Sequence, residues 1–160
     1  HCYENSAGEQ YATDNGFVYD IIPSLALVSG SSYTVDNISD TLISSERMNA
    51  GSLFTAFTRE GIVVLKDDTQ LAFDDFVGTG CIIRLMDGET VIDSLTAVIE
   101  GDINGDSVVD SADVFLADLA LNSHLELNGA YFDAANADPA SAELDINDFS
   151  VIMNRAVGKT

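Results

Sequence analysis

Basic residues, long apolar runs and cysteines are all scarce in this chain. Only 6 Lys and Arg accompany 27 Asp and Glu among 160 residues, which gives a formal net charge of −21. This charge excludes nucleic acid as a natural partner and argues against anionic membrane surfaces, because phosphate binding requires clusters of basic side chains. No segment approaches the roughly 18–20 consecutive apolar residues of a membrane-spanning helix, so we expect no membrane insertion.

The two cysteines, Cys2 and Cys81, are too few for a disulfide framework. Cys81 begins an apolar run, which favours a buried thiol. The alternative, a disulfide bond between Cys81 and Cys2, is also compatible with the sequence. A hydrophobic content of 46% separates the chain from disordered acidic tails. An acidic surface over an ordinary core indicates a protein that works where calcium is abundant, outside the cell. We expect the chain, which begins at His1, to be a C-terminal part of a larger secreted protein.

Oxygen-bearing side chains recur at fixed intervals in residues 102–113. They occupy the first, third, fifth, ninth and twelfth places, and an apolar helical run follows at once. Four carboxylates and one amide at this spacing would repel one another without a cation, and Ca²⁺ prefers about six to eight oxygen ligands. The sequence therefore predicts a calcium loop of the EF-hand kind, in which the seventh residue offers its backbone carbonyl. The predicted ligands are Asp102, Asn104, Asp106, Val108, Asp110 and Asp113.

Two residues depart from the standard EF-hand loop. Ser107 stands where a Gly normally makes the sharp turn, and Asp113 replaces a longer Glu. Because Ser adopts a left-handed backbone less readily than Gly, we expect local strain there. The alternative interpretation is an acidic, solvated loop that caps a helix, since Asp113 also suits a helix N-terminus.

A second copy of this pattern lies 35 residues further on. Asp145-Ile-Asn-Asp148 repeats Asp110-Ser-Ala-Asp113, and an amphipathic helix ending near Gly158 is predicted to follow. The ligand spacing fits only with one inserted residue and includes fewer carboxylates. We therefore expect either weaker calcium binding or a vestigial loop that binds nothing. The predicted ligands are Asn136, Asp138, Ser141, Glu143 through its carbonyl, Asp145 and Asp148.

Residues 24–100 are predicted to form a small, mainly-β domain. A short helix is expected over residues 52–57, and Asp87-Gly88 predicts a hairpin turn. The histidines have no neighbours that would form a catalytic triad or a zinc site, and the acid pairs are typical of a solvated surface rather than of a glycosidase. We therefore predict that the chain is not an enzyme. The predicted strands are Leu25–Val28, Tyr33–Val35, Ile62–Leu65, Cys81–Met86, Thr90–Ile92 and Leu95–Ile99.

Segment 101–160 resembles a dockerin module. The matching residues are Gly101 to Asp106, Asp110 and Asp113 in the first repeat, and Asp145, Asp148 and Ala156 to Gly158 in the second. The resemblance implies an all-α module that binds two calcium ions and anchors a secreted bacterial protein to a cohesin domain of a scaffoldin, typically in a cellulosome or at the cell surface. Polysaccharide would be met only through the parent assembly.

The segments upstream have resemblances of their own. Val77 to Cys81 and Val98 to Asp102 are similar to the X modules or Ig-like domains that precede and support dockerins, and residues 2–17 are similar to the last turn of a bacterial leucine-rich repeat. The expected units are therefore 1–23, a repeat tail, 24–100, a β domain, and 101–160, a dockerin. The expected fold class is α+β, a small mainly-β domain followed by an all-α dockerin with two EF-hand-like loops.

Dockerins contact their partners through the loop ends and the exposed helix faces. Because Ser111-Ala112 and Ile146-Asn147 differ chemically, we expect a single docking orientation. Leu119 and Met153 could instead be core residues, judged by their helical spacing. The competing function is a calcium-stabilised structural region of a surface adhesin without a cohesin partner. The partner-binding residues that the resemblance implies are Ser111, Ala112, Asp118, Leu119, Ser123, Ile146, Asn147, Met153, Asn154 and Arg155.

Overall fold

A six-stranded mixed sheet forms the centre of this protein, and helices precede, interrupt and follow its strands. The computed structural model describes residues 2–3, 6–18, 21–138 and 140–159. Within them the helices are α1 Ala7–Asp14, α2 Ala50–Ala56, α3 Ser111–Leu121, α4 Ala130–Ala135 and α5 Ile146–Ala156. The strands are β1 Cys2–Tyr3, β2 Ile21–Ile22, β3 Thr34–Asp36, β4 Thr41–Ser44, β5 Met48–Asn49, β6 Ile62–Lys66, β7 Thr69–Gln70, β8 Phe76–Val77, β9 Ile82–Asp87 and β10 Thr90–Ile99.

Strand β10 lies in the middle of the sheet, whose order is β3-β4-β10-β9-β6-β7. It pairs antiparallel with β9 and parallel with β4. The predicted hairpin is confirmed, because Asp87 pairs with Thr90 and Gly88, in the turn between them, has φ +58°. The two strands predicted over residues 90–99 are one strand with an irregularity between Val91 and Asp93. The end of β10 leads directly into the predicted calcium loop.

Alternating side chains of the central strands fill the first hydrophobic core. Ile83 and Leu85 on β9 are buried, and Leu53 of the predicted short helix, now α2, packs in the same cluster. The prediction of a buried thiol is confirmed, since Cys81 is 1% exposed and free. Burial raises the pKa of that thiol. Because Cys81 is free, it forms no disulfide bond in this structure, and the side chain of Cys2 lies outside the described residues.

A second hydrophobic core lies among the last three helices. Ala117 of α3, Ala135 of α4 and Ile152 of α5 are buried in one cluster, together with Ile103 of the predicted calcium loop. The helices predicted after each loop are confirmed as α3 and α5, and Gly158 follows α5 with φ +70°. A short helix, α4, spans Ala130–Ala135 between them.

The predicted fold class is wrong. The described residues form a mixed α/β fold with a mixed six-stranded sheet and five helices, rather than a mainly-β domain followed by an all-α module. Two contacts join the C-terminal helices to the residues that directly follow β10. Gly101 N donates to Ala134 O of α4 at 2.7 Å, and Arg155 of α5 donates to the carbonyl of Glu100 at 2.8 Å. The parallel pairing of β4 with β10 makes the sheet mixed.

The N-terminal segment forms β1, α1 and β2. Ser6 caps α1 by accepting a hydrogen bond from Glu9 N at 3.1 Å, and β1 pairs in parallel with β2. Residues 1, 4, 5, 19 and 20 of the predicted repeat tail lie outside the described residues. The likeness of this segment to a leucine-rich repeat therefore stays a prediction.

Candidate metal centre

The first predicted calcium loop joins β10 to α3, and its last residues cap that helix. Asp110 accepts a hydrogen bond from Ala112 N at 2.7 Å, and Asp113 Oδ2 accepts one from Asp110 N at 2.9 Å. The two carboxylates thus form a capping box that satisfies backbone amides at the start of α3. The helix-capping alternative weighed from the sequence therefore describes part of what these residues do.

Asp113 also closes the loop on itself. Its Oδ1 accepts hydrogen bonds from Ile103 N at 2.8 Å and from Asn104 N at 3.1 Å, so the twelfth place is tied to the second and third. The side chain is fully buried. Burial raises the pKa of this carboxyl, although the three amides act in the opposite direction. The contacts hold both ends of the loop together without an ion pair.

Asp102, at the first place, is the other fully buried carboxylate of the loop. Its Oδ2 accepts hydrogen bonds from Thr79 N at 2.8 Å and from Ser107 N at 3.1 Å. Its Oδ1 is buried and has no hydrogen-bond partner among the described residues. Burial raises the pKa of Asp102, and the charges of Asp113 and Asp106 act in the same direction.

The third and fifth places are ordered by local hydrogen bonds. Asn104 Oδ1 accepts from Asp106 N at 2.8 Å, and Asp106 Oδ1 accepts from Val108 N at 2.9 Å. Each side chain thereby folds back over the next turn of the loop, an arrangement usual for Asn and Asp in turns. The predicted strain at the sixth place is confirmed, because Ser107 has φ +76°.

The second loop repeats in part the hydrogen bonds that the last carboxylate makes in the first loop. Asp148 is fully buried and accepts from Asp138 N and from Asp145 N, each at 2.7 Å, as Asp113 accepts from Asn104 N and Asp110 N. Asp145 caps α5 through Asn147 N at 2.7 Å. Pro139, inside this loop, lies outside the described residues.

The first place of the second loop also has a buried oxygen without a partner. Asn136 Oδ1 and Asp102 Oδ1 are the two such side-chain atoms found within the described residues. Ser141 Oγ donates to the carbonyl oxygen of Glu143 at 2.9 Å. These two predicted ligand oxygens are therefore already hydrogen-bonded to each other. The sequence placed Asn136 and Asp102 at equivalent positions, and the structure finds the same feature at both.

The predicted metal ligands of both loops are oxygen atoms of several chemical types. In the part of the chain that the structure describes, no group of three or more His, Cys, Asp or Glu is arranged to hold one. The predicted ligands also include amide, hydroxyl and carbonyl oxygens, and a hard cation prefers such oxygens. A carboxylate has about four lone-pair sites, so accepting amides leaves capacity for a cation. The two unpartnered buried oxygens fit a hard cation at the first place of each loop.

Most of the predicted docking side chains are exposed on α3, on α5 and at the ends of the loops. Leu119 is half-buried, whereas Met153, the other residue that could have been core, is 44% exposed. Arg155 is half-buried, and its guanidinium pairs with the Glu100 carboxylate and also donates to the Glu100 carbonyl. The structure therefore gives Arg155 an intramolecular contact with the end of the sheet. The exposed members are Ser111, Ala112, Asp118, Ser123, Ile146, Asn147, Met153 and Asn154.

Several residues around the first loop were not singled out by sequence reasoning. Thr79 reaches Asp102 through its backbone amide, and Lys66 Nζ donates to Gly105 O at 3.0 Å. Phe115 on α3 is 60% exposed beside the predicted docking residues. A backbone amide leaves no side-chain pattern to detect. The pair of glycines around Thr79 was the one available signal, because such pairs mark close backbone approaches.

Comparison with known proteins finds no family model, no curated protein and no solved structure that matches this chain. Among the described residues, no helix is long and apolar enough to span a membrane.

Proposed function

We propose that this chain is a non-catalytic, calcium-dependent anchoring region that docks a secreted bacterial protein onto a cohesin domain of a scaffold protein. The observation that supports this most directly is the buried, unpartnered Asp102 Oδ1. Burying an ionised oxygen without a partner costs several kcal/mol, and a divalent cation at the first loop would offset that cost. The matching Asn136 Oδ1 supports a second, weaker site, because a neutral amide attracts a cation less strongly than a carboxylate.

The charge of the C-terminal segment makes metal binding part of its folding energy. Residues 101–160 contain eleven Asp and Glu but only two Lys and Arg. Self-repulsion therefore opposes the compact state. Bound calcium would supply compensating positive charge and so stabilise the closed loops. Asp113 and Asp148 each join the start of a loop to the beginning of a helix, so a closed loop fixes where α3 and α5 begin.

The exposed ends of those helices would then form the docking face. Ile146 is 61% exposed at the start of α5, and Phe115 is 60% exposed on α3. Large apolar side chains that face solvent are typical anchors of a protein interface. Ser111 and Ala112 stand where the second repeat has Ile146 and Asn147. The two repeats therefore offer different chemistry, and we propose one docking orientation. The cell surface or a cellulosome would be the location, and polysaccharide would be met only through the parent assembly.

A structural role without a cohesin partner is the second candidate. The contact of Arg155 with Glu100 favours it, because one predicted docking residue is already used to hold α5 against the sheet. In this case calcium would stabilise the C-terminal region of a surface adhesin. Both candidates require the metal, and they differ only in whether the exposed helix faces bind another protein.

Size-exclusion chromatography of the full chain mixed with cohesins of several types, in calcium and in chelator, separates the two candidates. We expect co-elution in calcium alone and its loss in Ile146→Asp. Val91→Asp is the matched control, because Val91 is 45% exposed on the sheet, away from the docking face. Failure to bind any cohesin, with helicity that still responds to calcium, would favour the structural role. Helicity that is the same in calcium and in chelator would contradict both candidates.

A further inference from the structure

The turn formed by Gly78, Thr79 and Gly80, which we call the glycine turn, lies directly against the first loop. It follows β8, about 23 residues before the loop in sequence. Thr79 is 3% exposed, and its amide donates to Asp102 Oδ2 at 2.8 Å. The threonine is itself held by the end of β10, because its Oγ1 accepts from Ile99 N at 3.0 Å and donates to Ile99 O at 3.3 Å.

Glycines on both sides allow the two backbones to touch. A Cβ added at Gly78 would lie 2.2 Å from Gly105 O, and one added at Gly105 would lie 2.6 Å from Thr79 O. Neither distance is possible for a real side chain, so any larger residue must push the loop away from the turn. Gly105 also has φ +74°, a backbone conformation that favours glycine. The close approach is what brings the Thr79 amide within reach of the Asp102 carboxylate.

This contact decides which oxygen of Asp102 is available. With Oδ2 held by the amides of Thr79 and Ser107, Oδ1 is left buried and unpartnered. Without the Thr79 amide, the carboxylate would lose one of the two donors that fix its rotation. A correctly oriented ligand binds metal more tightly, because groups outside the ligand shell set its position.

The second loop lacks an equivalent contact with the sheet among the described residues. The hydrogen bonds described for its acidic side chains stay within residues 138–148. A perturbation of the glycine turn should therefore reach the first loop and spare the second.

We propose that the glycine turn is a positioning element of the first calcium site, so that the sheet and the metal site stabilise each other. The inference rests on the proposed calcium binding. Since coupling of this kind is reciprocal, calcium at the first loop should also stabilise the sheet around Thr79. The glycine turn thus contributes to metal affinity by holding the Asp102 carboxylate in its binding orientation.

Calcium titration calorimetry on the full chain tests this, with Gly78→Ala as the variant and Gly88→Ala as the control. Gly88 lies in the β9–β10 turn with open space around it, at the end of β10 away from the loop. We expect two binding steps in the wild type, with the first-loop step identified by its loss in Asp102→Ala. Gly78→Ala should weaken that step at least tenfold and leave the other unchanged, and Gly88→Ala should leave both unchanged. An unchanged first-loop affinity in folded Gly78→Ala would overturn the inference.

A milder pair of variants and a wild-type measurement cover the case in which Gly78→Ala does not fold. Thr79→Val removes the hydroxyl that anchors the turn to Ile99, and Thr79→Ser keeps it. We expect several-fold weaker first-loop binding in Thr79→Val and its recovery in Thr79→Ser. In the wild type, calcium should slow hydrogen exchange at the Thr79 amide more than at the Met86 amide of β9, which donates to Gly61 O. Equal slowing at both amides would refute the coupling, whereas a wild type that binds no calcium refutes the proposed function itself.

Discussion

Replacing Asp102 by Asn should act in opposite directions with and without calcium. The carboxylate is fully buried, with Oδ2 accepting from Thr79 and Ser107 and Oδ1 unpartnered. An Asn oxygen can accept the same two amides, while its neutral nitrogen replaces the unpartnered anionic oxygen. In chelator the variant should therefore be more stable than the wild type, because the cost of a buried charge is removed.

The expected sizes of the two effects follow from the same contacts. An unpartnered buried charge costs several kcal/mol, whereas the neutral Asn nitrogen in its place costs about 1–3 kcal/mol, and the variant keeps both hydrogen bonds. We therefore expect a gain of about 1–2 kcal/mol in chelator. Calcium at about a thousand times its Kd adds about 4.1 kcal/mol to the wild type. A hundredfold weaker Kd would remove about 2.7 kcal/mol of that, so the variant should become about 1 kcal/mol less stable in calcium.

Urea unfolding followed by circular dichroism, in calcium and in chelator, measures both differences. Asp74→Asn is the matched control, because it makes the same change of charge at an exposed position. Its unfolding midpoint should respond to calcium as the wild type does. A shift of the same sign for Asp102→Asn in both solutions would refute the assignment of this oxygen to a metal site.

Three further changes test the packing and the charges. Ile152→Ala should lower the free energy of unfolding by about 2–5 kcal/mol in urea titrations, since Ile152 is 0% exposed in the C-terminal core. Arg155→Met and Glu100→Gln, alone and combined, should show a coupling energy of about 0.5–1 kcal/mol, because the pair is partly exposed. Asp133→Asn should raise stability at neutral pH by less than about 1 kcal/mol, as burial raises the pKa of Asp133 and solvent screens it. That gain should vanish below pH 3.8, where wild-type Asp133 is protonated in both states.

The elements that could be predicted from sequence are those with local signals. Asp87-Gly88 specifies a tight turn because glycine readily adopts positive φ, and the structure has the hairpin there. The capping pattern of Asp110 and Asp113 is equally local, since both residues act within one turn of α3. The left-handed backbone at Ser107 followed from its place in the loop alone.

The contacts that overturned the predicted fold class are long-range and leave no local signal. Thr41 to Ser44 is a short segment whose parallel partner, Thr96 to Ile99, lies about 55 residues away in sequence. Arg155 could have paired with many of the 27 acids, and nothing in its own segment indicates Glu100. The hydrogen bond from the Thr79 amide could not be predicted for a different reason, because nearly every residue has a backbone N–H group. Sequence reasoning thus found the loops but not what they are attached to.

The two loops differ in the charge that they bury, and this difference sets how each depends on metal. Asp102 places a fully buried carboxylate at the start of the first loop, whereas Asn136 places a neutral amide at the start of the second. Burying an unpaired charge costs much more than burying an unpaired neutral oxygen, so the first loop has more to gain from a cation. The first loop is also hydrogen-bonded to Thr79, next to the sheet. Calcium bound there should therefore stabilise the sheet as well as α3. Calcium dependence of docking should therefore follow the first loop, even though Ile146, the most exposed apolar residue of α5, follows the second.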